Sequence, residues 1–340
     1  MGRTRLAYKR PQPYERPVKE QAMPLSEFKL IAEIFAPLAT SKSALGLKDD
    51  VAVLRARPGR DLILKTDTIV EGVDFFPNDP ANTIAKKALR VNLSDLAAKG
   101  AEPFGYLLTL VLRKDVRTSW LRNFARGLAE DQRTFKIALL GGDMSSTPGP
   151  LTISIAAFGY VPQGEAILRS GAAPGDLVFV SGSIGDSSGG LEALKSKAVR
   201  PPLVARYRVP QPRVALGQKL RGIASAALDV SDGLLADLGH IADVSKVHIA
   251  VRASKVPLSK ELRKAWGSDD KAVLRAAIAG DDYEIAFTAP RARRVKVMAA
   301  AKAAGVPVTE IGWVMKGRGV ALLNEQGRPI AAKRTGYTHF

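Results

Sequence analysis

The chain has 340 residues, enough for two domains that each bury a core. Its 46% apolar and 25% charged content suits a soluble globular protein, and no apolar run approaches the roughly 18 uncharged residues of a membrane helix. The lack of cysteine excludes a disulfide framework and a thiolate zinc site and fits a cytoplasmic protein, while the net charge of +18 raises the question of an anionic partner.

Residues 1–24 (MGRTRLAYKRPQPYERPVKEQAMP) hold six basic and two acidic side chains and four prolines. That composition predicts a disordered basic tail, without the apolar stretch of a secretory signal. Leu25, Phe28, Ile31, Ile34 and Phe35 then recur at helical spacing, with Ser26 as a candidate N-cap. RDLILKTDTIV reads as a strand. NTIAKKALRVNLSDLAAKGAEP reads as a helix stopped at Gly100, with Pro103 beyond it. FGYLLTLVL is strand-like, and TSWLRNFARGLAEDQRTF is an amphipathic helix capped by its Thr or Ser. KIALLGGD reads as a buried strand ending in glycines, and PLTISIAAFGYVP as an alternating strand.

A boundary near residue 163 separates a first mixed α/β domain, 25–163, from a second, 164–340. The second begins with a turn (APGD), a strand and a Gly-rich turn into a helix, SGSIGDSSGG. RPPLVARYRVPQP reads as a loop, RVALGQKLRGIA as a helix and SAALDV as a short strand. SDGLLADLGHIADV is a helix whose Leu234, Leu235, Leu238 and Ile241 share one face. YEIAFTAP, RARRVKVMAAAKAAG and VPVTEIGWV follow as strand, helix and strand.

The basic residues are scattered, aromatics make up 6% of the chain, and no zinc-finger, RNA-recognition or KH signature is present. A generally basic solvated surface accounts for this, part of which could attract phosphate-bearing small molecules. A nucleic-acid-binding protein is the rival from another class.

Acidic residues break five apolar segments: GLKDDVAVL, LKTDTIVEG, RVNLSDLAA, LLGGDMS and ALDVSDGLL. Asp67, Asp143 and Asp229 stand at or near strand ends, and Asp50 precedes a strand. Asp95 and Asp232 each follow a serine at or near a helix start. Carboxylates at a sheet rim are costly to desolvate and repel one another unless a cation holds them. Oxygen donors without cysteine, and with three scattered histidines, favour magnesium over zinc. Each motif also has an ordinary reading: Ser94-Asp95 and Ser231-Asp232 as helix caps, Gly141 to Asp143 as a turn, Lys48 to Asp50 as a solvated loop. His240 reads as a helix-end residue rather than a base. Gly141-Gly142 and SGSIGDSSGG offer close backbone approach and a possible phosphate cradle, although neither fits a Walker loop or a G-x-G-x-x-G pattern. The residues alone lead to a magnesium-dependent, phosphate-handling enzyme.

The segments KDDVAVL, TDTIVEGVDFF, KALRVNLSDLAAKGAEP, LLGGDMSSTPGPLTISIAAFG, RSGAAPGDLVFVSGSIGDSSGGL, ALDVSDGLLADLGHI, AGDDYEIAFT and the terminal GYTHF together resemble the thiamine-monophosphate kinase family, in the right order from about residue 25 onward. The resemblance implies a two-domain fold shared with aminoimidazole ribonucleotide synthetase and selenophosphate synthetase. Its N-terminal α/β domain would bind metal and ATP and form a homodimer through its sheet. It implies ATP and thiamine phosphate as substrates, thiamine diphosphate as product and several magnesium ions. Position by position, Asp50, Asp67, Asp95, Asp143, Asp229 and Asp232, with Thr66 beside them, resemble metal ligands. Gly142, Asp143, Arg169 and Ser231 resemble ATP contacts. Asp74, Asp281 and Tyr337 fall where the family contacts thiamine phosphate. The family usually carries histidine in place of Asp74, glutamate in place of Asp281 and a small hydroxyl residue in place of Lys65. Another ATP-dependent enzyme of the same superfamily, with a different acceptor, is the alternative that these departures motivate. No residue is assigned as a general base, because a phosphate acceptor is already ionised near neutral pH.

Overall fold

The computed structural model describes residues 26–331 and 336–337; Leu25 and the basic tail over 1–24 lie outside them. The first helical turn, α1 (Glu27–Leu30), passes at once into a π-helical turn, Ile31–Phe35. Leu30, Ile34 and Phe35 are buried, but Ser26 makes no side-chain cap.

Four strands form the first sheet: β1 (Arg60–Val70), β2 (Glu102–Arg113), β3 (Ala138–Thr147) and β4 (Thr152–Pro162), in the order β1-β4-β2-β3. Only the β2–β3 pair is parallel. The strand β3 does not end at its glycines; it continues to Thr147 because Gly142 and Asp143 pair with Leu108 and Thr109 of β2. One face of this sheet is covered by α2 (Ala81–Ala98) and α3 (Thr118–Phe135). In α3 the residue at the cap position is Arg117, and the expected Thr118 hydroxyl cap is not made. Ser94 and Asp95 sit in the last third of α2 rather than at a helix start, so they are not caps. The helix α2 is buried on most of its circumference, since β1, β4, α3 and the second domain all pack on it.

The second sheet contains β5 (Asp176–Ser181), β6 (Ala226–Asp229), β7 (His248–Arg252), β8 (Ile285–Pro290), β9 (Val308–Met315) and β10 (Gly319–Leu323), in the order β10-β7-β9-β5-β8-β6. Alternate residues of β5 serve two cores: Val178 and Val180 join one, Leu177 and Phe179 the other. A strand buried on both faces reads as a continuous apolar run, and LVFV does. The helices of this half are α4 (Asp186–Ser196), α5 (Pro201–Arg208), α6 (Val214–Leu220), α7 (Leu234–Ser245), α8 (Lys260–Trp266), α9 (Asp270–Ala277) and α10 (Arg294–Ala304). The segment expected to be a loop is α5. Its two prolines occupy the first helical positions, where an N–H has no partner to lose, and Leu203 and Tyr207 bury one face four residues apart.

Candidate functional site

Asp67 faces inward from β1. It pairs with Ile155, which pairs with Leu108, and both partners are core residues. Directly opposed residues share a sheet face, so Asp67 projects toward α2. Lys65, two residues earlier on that face, donates to Asp67 Oδ1 at 3.1 Å and to Asp95 Oδ2 of α2 at 3.0 Å. Burial raises the Asp67 pKa, Lys65 opposes the rise, and the nearby Asp95 and Asp74 charges add to it.

The second domain contributes Asp229, the last residue of β6, which is 5% exposed. Burial pushes its carboxyl well above the usual range, and the Asp95 charge pushes it further. Among the described residues its Oδ2 has no hydrogen-bond partner at bonding distance, although the Ser94 hydroxyl of α2 lies near enough to oppose the rise. A buried carboxylate oxygen left unpaired is costly, and a cation removes that cost. Asp67, Asp95 and Asp229 offer only carboxylate oxygens, the donor set that suits magnesium. By donor chemistry and by the orphaned Asp229 Oδ2 these residues suit a divalent cation, while among the described residues the ligand atoms that lie within 4.8 Å of one another are those of Asp232, Asp237 and His240.

Lys99 borders the same carboxylates, and Arg169 lies near Lys99. Lys99, just past α2, donates to the Ala227 carbonyl at 2.7 Å. Burial and the neighbouring Arg169 charge pull its pKa down to about 8, against the pull of Asp229 and Asp95. Arg169 is exposed and follows Leu168, whose carbonyl accepts from the Ala227 amide at 2.9 Å.

Backbone bonds gather the next group. The Asp281 amide donates to the Ser231 carbonyl at 2.8 Å, and the Tyr337 amide to the Asp232 carbonyl at 2.9 Å. A Cβ on Gly280 would meet the Ser231 carbonyl oxygen at 2.4 Å, so only glycine allows this approach. Asp281 and Tyr283 have φ of 69° and 52°, in the left-handed region that non-glycine residues adopt less often. Asp232 has Asp237 and His240 beside it, with ligand atoms within 4.8 Å of one another. Asp237 is already committed, because its Oδ2 accepts from the amides of Ser231, Asp232 and Gly233 at 3.0, 3.1 and 3.1 Å. His240 is exposed on α7.

Asp74 and Asp281 meet through Lys87 of α2, a residue that sequence reasoning missed. Its ammonium donates to the Asp74 carbonyl at 2.7 Å, pairs with Asp281 Oδ2 at 3.3 Å and lies 3.9 Å over the Tyr207 ring. Tyr207 donates to the same carbonyl at 3.1 Å, and Tyr283 to Asp281 Oδ1 at 3.2 Å. Lys87 is 2% exposed, and the available signal was a lysine set among the apolar residues of a buried helix. Tyr283 ties this group to the first, since Asp281, Asp229 and Asp67 all act on it.

Asp50, Gly142 and Asp143 stand elsewhere. Asp143 pairs with Thr109, Thr109 with Ser154, and Ser154 with Thr68, whose hydroxyls bond at 3.0 Å. All four belong to the outward face, opposite Asp67. Asp50, Gly142 and Asp143 line a cleft of about 830 Å³ on that side. At Gly142 a Cβ would meet the Leu108 carbonyl oxygen at 1.9 Å, so no side chain fits. Thr66 pairs with Ala156 and also points outward.

The Gly-rich turn is not a free phosphate cradle. The amides of Gly185 and Ser187 donate to the carboxylate of Asp282, at 2.6 and 3.4 Å. The protein fills that helix start with its own carboxyl group.

Residues 48–161 match the N-terminal domain of AIR synthase related proteins, and residues 173–323 match the C-terminal domain. The chain is 44% identical over 325 residues to the thiamine-monophosphate kinase of Caulobacter vibrioides, covering 94% of this chain and 92% of that one. The crystal structure of thiamine-monophosphate kinase from Stenotrophomonas maltophilia superimposes with a TM-score of 0.80 at 39% identity, covering 92% of this chain and all of that one, 100%. The solved complex of AaThiL with AMPPCP and TMP superimposes with a TM-score of 0.75 at 31% identity, over 95% of this chain and 100% of that one.

Proposed function

The chain belongs to the thiamine-monophosphate kinase family, and on that premise we propose that it transfers the γ-phosphoryl group of ATP to thiamine phosphate, giving thiamine diphosphate and ADP. The observation that carries this reading is the gathering of Asp67, Asp95 and Asp229, whose Oδ2 lacks a hydrogen-bond partner among the described residues, near Lys99, with Arg169 beside that lysine and a path that continues to Asp74 and Asp281. It supports an anionic donor at one end and an acceptor at the other.

An oxygen of the acceptor's phosphate attacks the γ-phosphorus in line. The bond from γ-phosphorus to the β,γ-bridging oxygen breaks, and ADP leaves with that electron pair. The acceptor oxygen is already ionised, so the protein needs no general base. It must instead hold two anions together and screen their repulsion. Magnesium on Asp67, Asp95 and Asp229 would supply most of that screening. Arg169 and Ser231 steady the nucleotide, and Asp232, next to Ser231 in the chain, is assigned as a further magnesium ligand. Asp74, Asp281 and Tyr337 are assigned to the acceptor, where carboxylates favour a cationic thiazolium, with the Asp74 carboxylate also accepting from the Val70 amide at 2.7 Å. The Asp50, Gly142 and Asp143 cleft is assigned as a second part of the ATP and metal site.

We assign the chain as a homodimer built through the first sheet, because its outward face leaves Leu62, Leu64 and Leu107 exposed. The domain division at residue 163 places β1 to β4 before it and β5 to β10 after it. Among the described residues no helix is long and apolar enough to cross a membrane, and the reaction is assigned to the cytoplasm, where ATP is available. Mass spectrometry of products from thiamine phosphate, ATP and magnesium tests the activity. Appearance of thiamine diphosphate with matching ADP is the expected result; ATP consumption only with another acceptor would overturn it.

A further inference from the structure

We propose that Lys65 is a tethered counter-ion for Asp67 and Asp95, one that must withdraw before a divalent cation can bridge the two carboxylates. This inference rests on the metal reading given above.

The geometry carries it. A single ammonium lies 3.1 Å from Asp67 Oδ1 and 3.0 Å from Asp95 Oδ2, joining a strand to a helix. Those are oxygens that a divalent ion would need. Asp229 and Asp74 add further negative charge around the pair, and Lys99 is already engaged with the Ala227 carbonyl. Lys65 is therefore the cation that keeps Asp67 and Asp95 together in the free protein. It leaves Asp229 Oδ2 unpartnered, so one ammonium does not satisfy the cluster. Lysine has a flexible four-carbon stem and a compact charge, and the Lys65 side chain is 30% exposed, which leaves it a route outward. Nucleotide phosphates beside the cluster would give the released ammonium a new partner. Cation entry is then coupled to nucleotide arrival.

Manganese binding to the full chain, followed by the spin resonance of free Mn²⁺, tests this without turnover. Lys65→Met should bind Mn²⁺ about tenfold more tightly than the natural chain in the absence of nucleotide. Lys65→Arg should stay close to the natural chain, because it keeps the charge. Adding Asp95→Asn to Lys65→Met should abolish the gain. With AMPPCP present, the difference between the natural chain and Lys65→Met should shrink. Thermal unfolding gives a second readout: in chelator Lys65→Met should melt below the natural chain, and Mn²⁺ should restore it. Equal Mn²⁺ affinity in the natural chain and Lys65→Met, with Asp95→Asn weakening both, would overturn the role of Lys65 and leave the metal site standing. Mn²⁺ binding that ignores Asp95→Asn altogether would overturn the metal reading, and the Lys65 role with it.

Discussion

Asp67 and Asp143 lie on opposite faces of one four-stranded sheet, at its two edges, β1 and β3. Among the described residues they share no hydrogen-bond or ion-pair partner, so their ligand roles should be separable. Asp95→Asn and Asp143→Asn are each expected to lower turnover by about a hundredfold or more. Their effects on Mn²⁺ binding to the nucleotide-free chain should add, as for distant sites. A double-mutant cycle with a large coupling energy would contradict that separation.

Asp282 fixes the Gly-rich turn from within. Asp282→Ala leaves the Gly185 and Ser187 amides without their acceptor and should cost about 1–3 kcal/mol in denaturant unfolding. Burial raises the Asp282 pKa, outweighing the Gly185 hydrogen bond and the Arg206 charge. From about pH 4, the ordinary aspartate value, up to its raised folded value the folded chain binds more protons than the unfolded one, so this group makes stability fall as pH rises through that window. Asp282→Asn keeps an acceptor and loses the charge. Its stability curve should be flatter within that window than that of the natural chain, and an unchanged slope would contradict the assignment.

Arg90 and Asp131 form a buried fork between α2 and α3, with both nitrogen–oxygen distances 2.7 Å. Arg90 also holds the Pro210 carbonyl at 2.9 Å. Asp131→Ala strands a buried guanidinium and should cost about 3–5 kcal/mol. A loss below 1 kcal/mol in equilibrium unfolding, the range of an exposed pair, would show that water reaches the site.

Leu64 is 64% exposed on the outward sheet face. Leu64→Asp should convert a dimer to monomer in sedimentation equilibrium, with far-ultraviolet circular dichroism unchanged. A natural chain that sediments as a monomer would remove the dimer assignment.

The sequence made the local elements legible. Periodicity located β1, α2 and α3, and Gly100 marked the stop after α2 with its φ of 72°. It missed α5 because prolines that begin a helix look like prolines that prevent one. It missed β7 and β10, short strands whose pairing with each other lies some 70 residues apart in the chain. At the site, the acidic motifs were visible one by one. Which face each carboxylate takes was not, because it depends on register between strands. The same limit hid Asp282, which reaches nearly a hundred residues back to fill a turn that reads as open.

The burial of α2 has one more consequence. Lys87, beside the residues assigned to the acceptor, and Asp95, beside those assigned to the nucleotide, ride on one helix held on several sides. Eight residues at about 1.5 Å each set them about 12 Å apart along its axis. The helix is thus a ruler for the distance between donor and acceptor ends. A longer or shorter acceptor would have to be accommodated by the second domain's loops, while this spacing stayed fixed.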